Sequence, residues 1–131
     1  MPNSNIMKVF SVDDANRTLP LVRRIVADIA TQHARWRDRI DAYETSVPPQ
    51  SQDIEVEVQQ LAAEMQGYVQ ELRDLGIEVK DFQLGLVDFP GERDGRPVYL
   101  CWKLGEPAVQ HWHELDTGYA DRQPVALTPD D

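Results

Sequence analysis

The sequence has few of the features that mark several common classes of protein. It has one cysteine in 131 residues, so it cannot form an internal disulfide, which is the pattern expected in a reducing cytoplasm. No apolar run approaches the ~20 residues with which a helix crosses a membrane. The first residues contain neither a basic nor an apolar stretch, so we expect no secretory signal and a cytoplasmic location.

Positive charge is also scarce. The chain carries 13 Lys and Arg against 23 Asp and Glu, which gives a net charge of −10. Such a chain repels polyanions, so we expect neither general nucleic-acid binding nor association with anionic membrane surfaces. The length and the 41% hydrophobic composition are those of one globular domain over residues 1–131.

Two helices are predicted by apolar periodicity. Apolar or aromatic residues recur at alternating gaps of four and three from Ala15 to Tyr43, with His33 as a polar member of the series. The same alternation runs from Ile54 to Leu75. This heptad spacing is typical of helices that pack along a shared seam, as in a coiled coil.

The prediction for residues 11–76 is therefore an antiparallel helical hairpin. Its helices cover about 12–46 and 51–75, because Pro48 and Pro49 cannot continue a helix and the short linker returns the chain beside itself. Two helices leave one side of their seam uncovered. We expect the rest of the chain and a second copy to cover it, which predicts a homodimer.

The residues after the hairpin switch to the alternation typical of strands. A β-hairpin is predicted between about 79–89 and 97–104, because Asp94-Gly95 favours a two-residue turn. The fold class is then α+β: a long antiparallel helical hairpin followed by a β-hairpin and a short C-terminal helix.

That short helix is predicted from Glu106-Pro107, since proline is favoured at the first helical position, and it ends near Leu115. The β-hairpin and short helix together occupy residues 77–124. Residues 125–131 are expected to be a flexible tail.

Side chains able to bind a metal are concentrated between residues 88 and 116. They are Asp88, Cys101, Glu106, His111, His113, Glu114 and Asp116. Two carboxylates and an imidazole are a common ligand set for zinc, iron or manganese, so Asp88, Glu106 and His113 form the candidate metal site. No standard metal motif occurs, and the alternative stays open that Glu106 caps a helix and His113 is a hydrogen-bonded structural residue.

The neighbouring residues receive other interpretations. On a helix, His111 and His113 would point about 200° apart, so we expect only one of them in the site. Cys101 is expected to be a small buried hydrophobe rather than a nucleophile. A ligand pocket could be lined by Trp102 and Tyr119, with Arg122 as an anion clamp; in a globular domain, such aromatic side chains more often belong to the core.

Several strings resemble one small family. They are Gly-Leu-Val-Asp88-Phe-Pro, Val-Tyr-Leu-Cys101-Trp-Lys-Leu-Gly-Glu106, Trp112-His113 and Gly118-Tyr-Ala-Asp-Arg122-Gln-Pro. Together with the first helix they resemble the prokaryotic family catalogued as domain of unknown function 2203, over roughly residues 8–124. The resemblance implies a cytoplasmic prokaryotic protein and implies no reaction.

Two classes of function follow from the sequence. The first is an interaction, scaffold or ligand-binding module that dimerises through the helical hairpin. The alternative is a metal-binding protein or small metalloenzyme that uses Asp88, Glu106 and His113. Nothing in the sequence decides whether the protein is an enzyme.

Overall fold

A computed structural model describes residues 8–125, and it confirms an α+β fold. The two helices are α1 (Val12–Glu44) and α2 (Gln50–Asp74). They are followed, within the described residues, by one antiparallel sheet whose five strands are ordered as in the sequence. The strands are β1 (Glu78–Asp81), β2 (Leu86–Arg93), β3 (Arg96–Lys103), β4 (His111–His113) and β5 (Gln123–Pro124).

The helical hairpin is confirmed to within about two residues at each helix end. Helix α1 is capped by Ser11, whose hydroxyl accepts the backbone N–H of Asp14 at 2.9 Å and so satisfies a donor of the first turn. All buried residues of α1 lie at or before Ile29, and all those of α2 lie at or after Leu61. The start of α1 and the end of α2 therefore contribute to the core, whereas the end of the hairpin that joins the two helices does not.

The predicted turn at Asp94-Gly95 is confirmed. Both residues have positive φ, 52° and 78°, as a type I′ turn requires, and Arg93 pairs with Arg96 across it. The strand predicted over 79–89 is instead two strands, β1 and β2, which pair with each other. They are separated by a turn in which the Asp81 carboxylate accepts the N–H of Leu84 at 2.8 Å.

The predicted short C-terminal helix is wrong. Residues 111–113 form strand β4, and after it the described residues contain one turn of 3-10 helix, Tyr119–Asp121. Asn16 of α1 helps to hold the loop before β4 in an extended conformation. The Asn16 side chain donates to the carbonyl of Val109 at 3.2 Å and accepts its N–H at 2.7 Å, and β4 then completes its hydrogen bonds on β3.

The end of the described chain belongs to the sheet region. Val125 is buried, and its N–H donates to the carbonyl of Gln110 at 3.0 Å. The remainder of the predicted tail, residues 126–131, lies outside the described residues. No helix within 8–125 is long and apolar enough to cross a membrane.

The sheet has two chemically different faces, because side chains alternate along each strand. One face packs into the core with α1 and α2 and carries Val87, Phe89, Leu100, Trp102 and Trp112. The register places the intervening residues of β2, β3 and β4 on the other face. Those residues include the polar side chains described next.

Candidate metal centre

Three potential metal ligands from three adjacent strands meet on the outer face of the sheet. Asp88 of β2 lies directly opposite Cys101 of β3, and His113 of β4 pairs with the residue two positions before Cys101. One carboxylate oxygen, the thiol sulfur and one ring nitrogen all lie within 4.8 Å of one another. The three residues are 2%, 0% and 3% exposed, so water is almost excluded from the cluster.

The hydrogen bonds of His113 define its protonation pattern. Its Nδ1 lies 2.7 Å from the carbonyl oxygen of Glu114, and a carbonyl can only accept, so Nδ1 carries a proton. Its Nε2 lies 3.1 and 3.0 Å from the two carboxylate oxygens of Asp88. One proton is therefore held between Nε2 and Asp88. A fixed Nδ1–H with Nε2 directed at the site is the arrangement that metal-binding histidines use.

Burial dominates the acid–base properties of the other two groups. It raises the pKa of the Asp88 carboxyl, against the opposing charge and hydrogen bond of His113. Burial, with the nearby Asp88 charge, also raises the pKa of the Cys101 thiol to about 12, although a hydrogen bond from Arg122 opposes this. Cys101 is thus a thiol at neutral pH, which disfavours a role as a free thiolate nucleophile.

Glu106 lies in an adjacent ion pair. Arg122 donates to both carboxylate oxygens of Glu106, with the Nη1–Oε1 distance 3.0 Å, and the N–H of Lys103 donates to Glu106 at 2.9 Å. Burial raises the pKa of Glu106, but these hydrogen bonds and the Arg122 charge outweigh it, so the pKa is lowered overall. The same guanidinium approaches the sulfur of Cys101 at 3.9 Å. Glu106 therefore reaches the cluster through Arg122.

A pocket of about 280 Å³ adjoins the cluster. Asp88 and His113 form part of its lining, together with Lys80, Tyr99 and Tyr119. The rings of Tyr99 and His113 lie 5.5 Å apart. The pocket thus reaches the cluster from the side of the carboxylate and the imidazole.

The remaining predicted ligand residues lie in different places. Trp102 is fully buried on the core face of the sheet, where its Nε1 donates to the carbonyl of Glu106 at 3.0 Å, so it does not join the pocket. Tyr119 lines the pocket. Arg122 lies over the Tyr119 ring, 4.4 Å from its centroid, and is held by Glu106.

Cys101 is the cluster residue that sequence reasoning left out of the candidate metal site. Its burial was expected, but its place beside Asp88 was not. The signal was available, because a two-residue turn at Asp94-Gly95 fixes the pairing of β2 with β3 and places Asp88 opposite Cys101. His111, two residues before His113 on a strand, shares its face rather than opposing it. Its Nδ1 is buried and has no hydrogen-bond partner in the described part of the chain.

The comparisons with known proteins identify a family. The model of a family described as uncharacterized conserved protein, DUF2203, matches residues 8–125, and the chain belongs to this family. No curated protein gives a significant match. No solved structure gives one either.

Proposed function

We propose that this member of the family binds a divalent transition metal, zinc before iron or manganese, through Asp88, Cys101 and His113. The observation that carries the proposal is the convergence of their three ligand atoms within 4.8 Å in a buried cluster. A carboxylate, a thiolate and an imidazole are all zinc ligands, and sulfur favours zinc over manganese. Three protein ligands leave a fourth position open, as in catalytic rather than structural zinc sites.

The surroundings of the cluster support a cation. Asp88 is a buried carboxylate whose charge burial disfavours, and a bound metal ion would stabilise that charge. Arg122 lies near the sulfur of Cys101, where its charge favours the thiolate that a metal needs. The Glu114 carbonyl holds the His113 ring with Nε2 directed at the site. We include a cytoplasmic location in the proposal, because a reducing compartment keeps the single thiol free. A prokaryotic source is included because the family resemblance implies it.

The test is a zinc titration of protein purified without an affinity tag and stripped with a chelator. Asp88→Ala, Cys101→Ala and His113→Ala should each lower zinc affinity by more than ~100-fold, because each removes a ligand. Loss of a residue that only holds a ligand in place costs ~10–100-fold. His111→Ala is the matched imidazole control, and Glu106→Gln is the matched carboxylate control. His111→Ala should lose less than ~10-fold. Glu106→Gln, which reaches the cluster only through Arg122, should lose no more than ~10–100-fold.

Each alternative ligand set gives a different result. If Glu106→Gln and His113→Ala lose zinc affinity equally, the ligands are Asp88, Glu106 and His113, as the sequence predicted. An equal loss in His111→Ala would mean that the wrong histidine is assigned. An absence of zinc binding by the wild-type protein would remove the metal proposal altogether.

A second candidate function is an interaction or scaffold role as a homodimer, and one specific observation favours it. Residues 30–44 of α1 and 50–60 of α2 contribute no buried side chain, although the apolar seam continues through them. Large apolar side chains are exposed at this end of the hairpin, with Val47 67% and Val56 52% exposed. Exposed apolar surface of this kind marks an interaction site.

A second copy of the chain is the occupant we propose for this surface. In this region α1 carries arginines and α2 carries acidic residues, and Arg39 pairs with Glu57 at 3.1 Å within the chain. A two-fold arrangement brings α1 of one copy against α2 of the other and repeats this opposition of charge. Light scattering at micromolar concentration should then give about twice the 15.0 kDa chain mass, reduced to one chain by Val47→Glu with Val56→Glu. A wild-type monomer would refute it.

A further inference from the structure

We infer that the pocket beside the metal centre binds a small monocarboxylate with an apolar body, which completes the metal coordination and pairs with Lys80. This inference rests on the proposed metal site and adds the class of ligand that the site takes. It is carried by the position of the pocket, by the charges around it and by its lining.

The position of the pocket relates it to the open coordination site. Asp88 and His113 belong both to the ligand cluster and to the pocket lining, whereas Cys101 belongs to the cluster alone. The pocket therefore opens on the side of the cluster away from the sulfur. A metal held by these three ligands has its free position available to a molecule entering from that side.

The charge balance of the pocket favours a single negative charge. Asp88 and Cys101, once deprotonated, neutralise a divalent ion, so the centre itself contributes no excess charge. Lys80 then adds one positive charge at the pocket, with its Nζ 5.3 Å from the centroid of the Tyr99 ring.

Two carboxylates close to the pocket pair with arginines rather than with Lys80. Glu78, which lies opposite Asp88 in the β1–β2 register, is 3.9 Å from Arg73. Glu114, next to His113, pairs with Arg96 at 2.6 Å. No carboxylate forms an ion pair with Lys80 anywhere in residues 8–125. Lys80 does act on Asp88, where its charge opposes the rise in the carboxyl pKa that burial causes. Once Asp88 binds the metal, the Lys80 ammonium is available to an anion.

The size and lining of the pocket specify the rest of the ligand. A volume of about 280 Å³ lies just below the ~300–1,000 Å³ of pockets for drug-sized ligands, so the ligand is small. Leu86, Leu115 and the rings of Tyr99 and Tyr119 provide apolar walls. Leu115 lines the pocket and is 51% exposed, so its side chain is accessible to a ligand.

The same lining favours a carboxylate over a phosphate. Phosphate sites typically use arginine forks or the N-terminus of a helix. Arg122, the nearest arginine to the cluster, is held by Glu106 and does not line the pocket. One ammonium and one metal position match the two oxygens of a single carboxylate.

The experiment is a calorimetric titration of the zinc-loaded protein with benzoate, whose ring and carboxylate have the required chemistry. Benzyl alcohol is the uncharged matched probe and inorganic phosphate is the second anion. Benzoate should bind, and Lys80→Gln should weaken that binding at least tenfold. Lys8→Gln is the control lysine, because Lys8 also lies over an aromatic ring, 4.9 Å from the centroid of Phe10, but does not line the pocket. It should bind benzoate as the wild type does.

Zinc content is measured on every sample, so the two proposals fail separately. A sample that takes up no zinc overturns the metal site and this inference with it. If the zinc-loaded protein does not bind benzoate, or binds benzyl alcohol or phosphate as tightly as benzoate, the proposed ligand class is wrong while the metal site stands. Equal benzoate affinity in Lys80→Gln and wild type, at equal zinc content, overturns the role of Lys80.

Discussion

The buried pair of Asp88 and His113 makes a strong prediction for the metal-free protein. The two side chains are 2% and 3% exposed and are joined by contacts of 3.1 and 3.0 Å. Removing one partner leaves the other polar group buried and uncompensated, which typically costs ~3–5 kcal/mol of unfolding free energy. Since a domain of this size has only ~5–15 kcal/mol in total, His113→Ala or Asp88→Ala should remove a large part of the stability.

Urea unfolding in the presence of a chelator measures this effect without contribution from metal. The double variant Asp88→Ala with His113→Ala should lose ~0.5–3 kcal/mol less stability than the sum of the two single losses, because it leaves no buried polar group without its partner. His111→Ala removes a half-buried imidazole whose Nδ1 has no partner in the described residues, and should cost under ~1 kcal/mol. Strictly additive single losses, or a His111 loss equal to that of His113, would refute the reasoning.

Two further predictions concern the surroundings of the site. Glu106→Gln should lower stability by roughly 1–3 kcal/mol at pH 7, because it removes the charged acceptor of Arg122. Since the pKa of Glu106 is lowered in the fold, the stability difference between variant and wild type should be fully present above the usual glutamate pKa and vanish as pH falls through the lowered value. Urea unfolding at several pH values measures this difference. A difference that does not change with pH would contradict the prediction. Gly85→Ala should destabilise more than Gly95→Ala in thermal unfolding. Both residues have positive φ, 70° and 78°, and alanine in this conformation costs ~1–2 kcal/mol at either position. Of the two, Gly85 alone has a close neighbour, because its new Cβ would lie 2.7 Å from the Leu104 Cβ. Equal losses would show that the close approach does not matter.

The parts of the fold that local chemistry determines could be predicted from the sequence. The heptad spacing defines α1, and the consecutive prolines Pro48 and Pro49 explain why it cannot continue. Asp94-Gly95 defines a type I′ turn by residue type alone. Each signal lies within a few residues of the structure that it determines.

The region after β3 depends on distant contacts, and there the prediction was wrong. Glu106-Pro107 has the local signature of a helix start, but Asn16, 93 residues from Val109, holds this loop extended. The carboxylate of Glu106 accepts hydrogen bonds from Arg122 and from the Lys103 N–H. Periodicity alone does not show which of several hydrogen-bonding partners a loop will meet.

The incorrect helix prediction also gave the wrong relative orientation for the two histidines. On a helix His111 and His113 would diverge, but on β4 they share one face, and the pairing of β4 with β3 brings His113 to Asp88 and Cys101. Asp88 and His113 could be nominated from their residue types. The position of Cys101 opposite Asp88 follows from the Asp94-Gly95 turn, but the arrival of His113 beside both required the pairing of β4 with β3, which only the assembled sheet supplies.

X-ray absorption at the zinc edge, on zinc-loaded protein purified without a tag, tests the central claim most directly. The proposed ligands Asp88, Cys101 and His113 predict one sulfur at ~2.3 Å and the remaining nitrogen and oxygen neighbours at ~2.0–2.2 Å. The Cys101→Ala protein should lose the sulfur shell. A zinc shell of nitrogen and oxygen alone in the wild type, or a protein that takes up no zinc, would contradict the account.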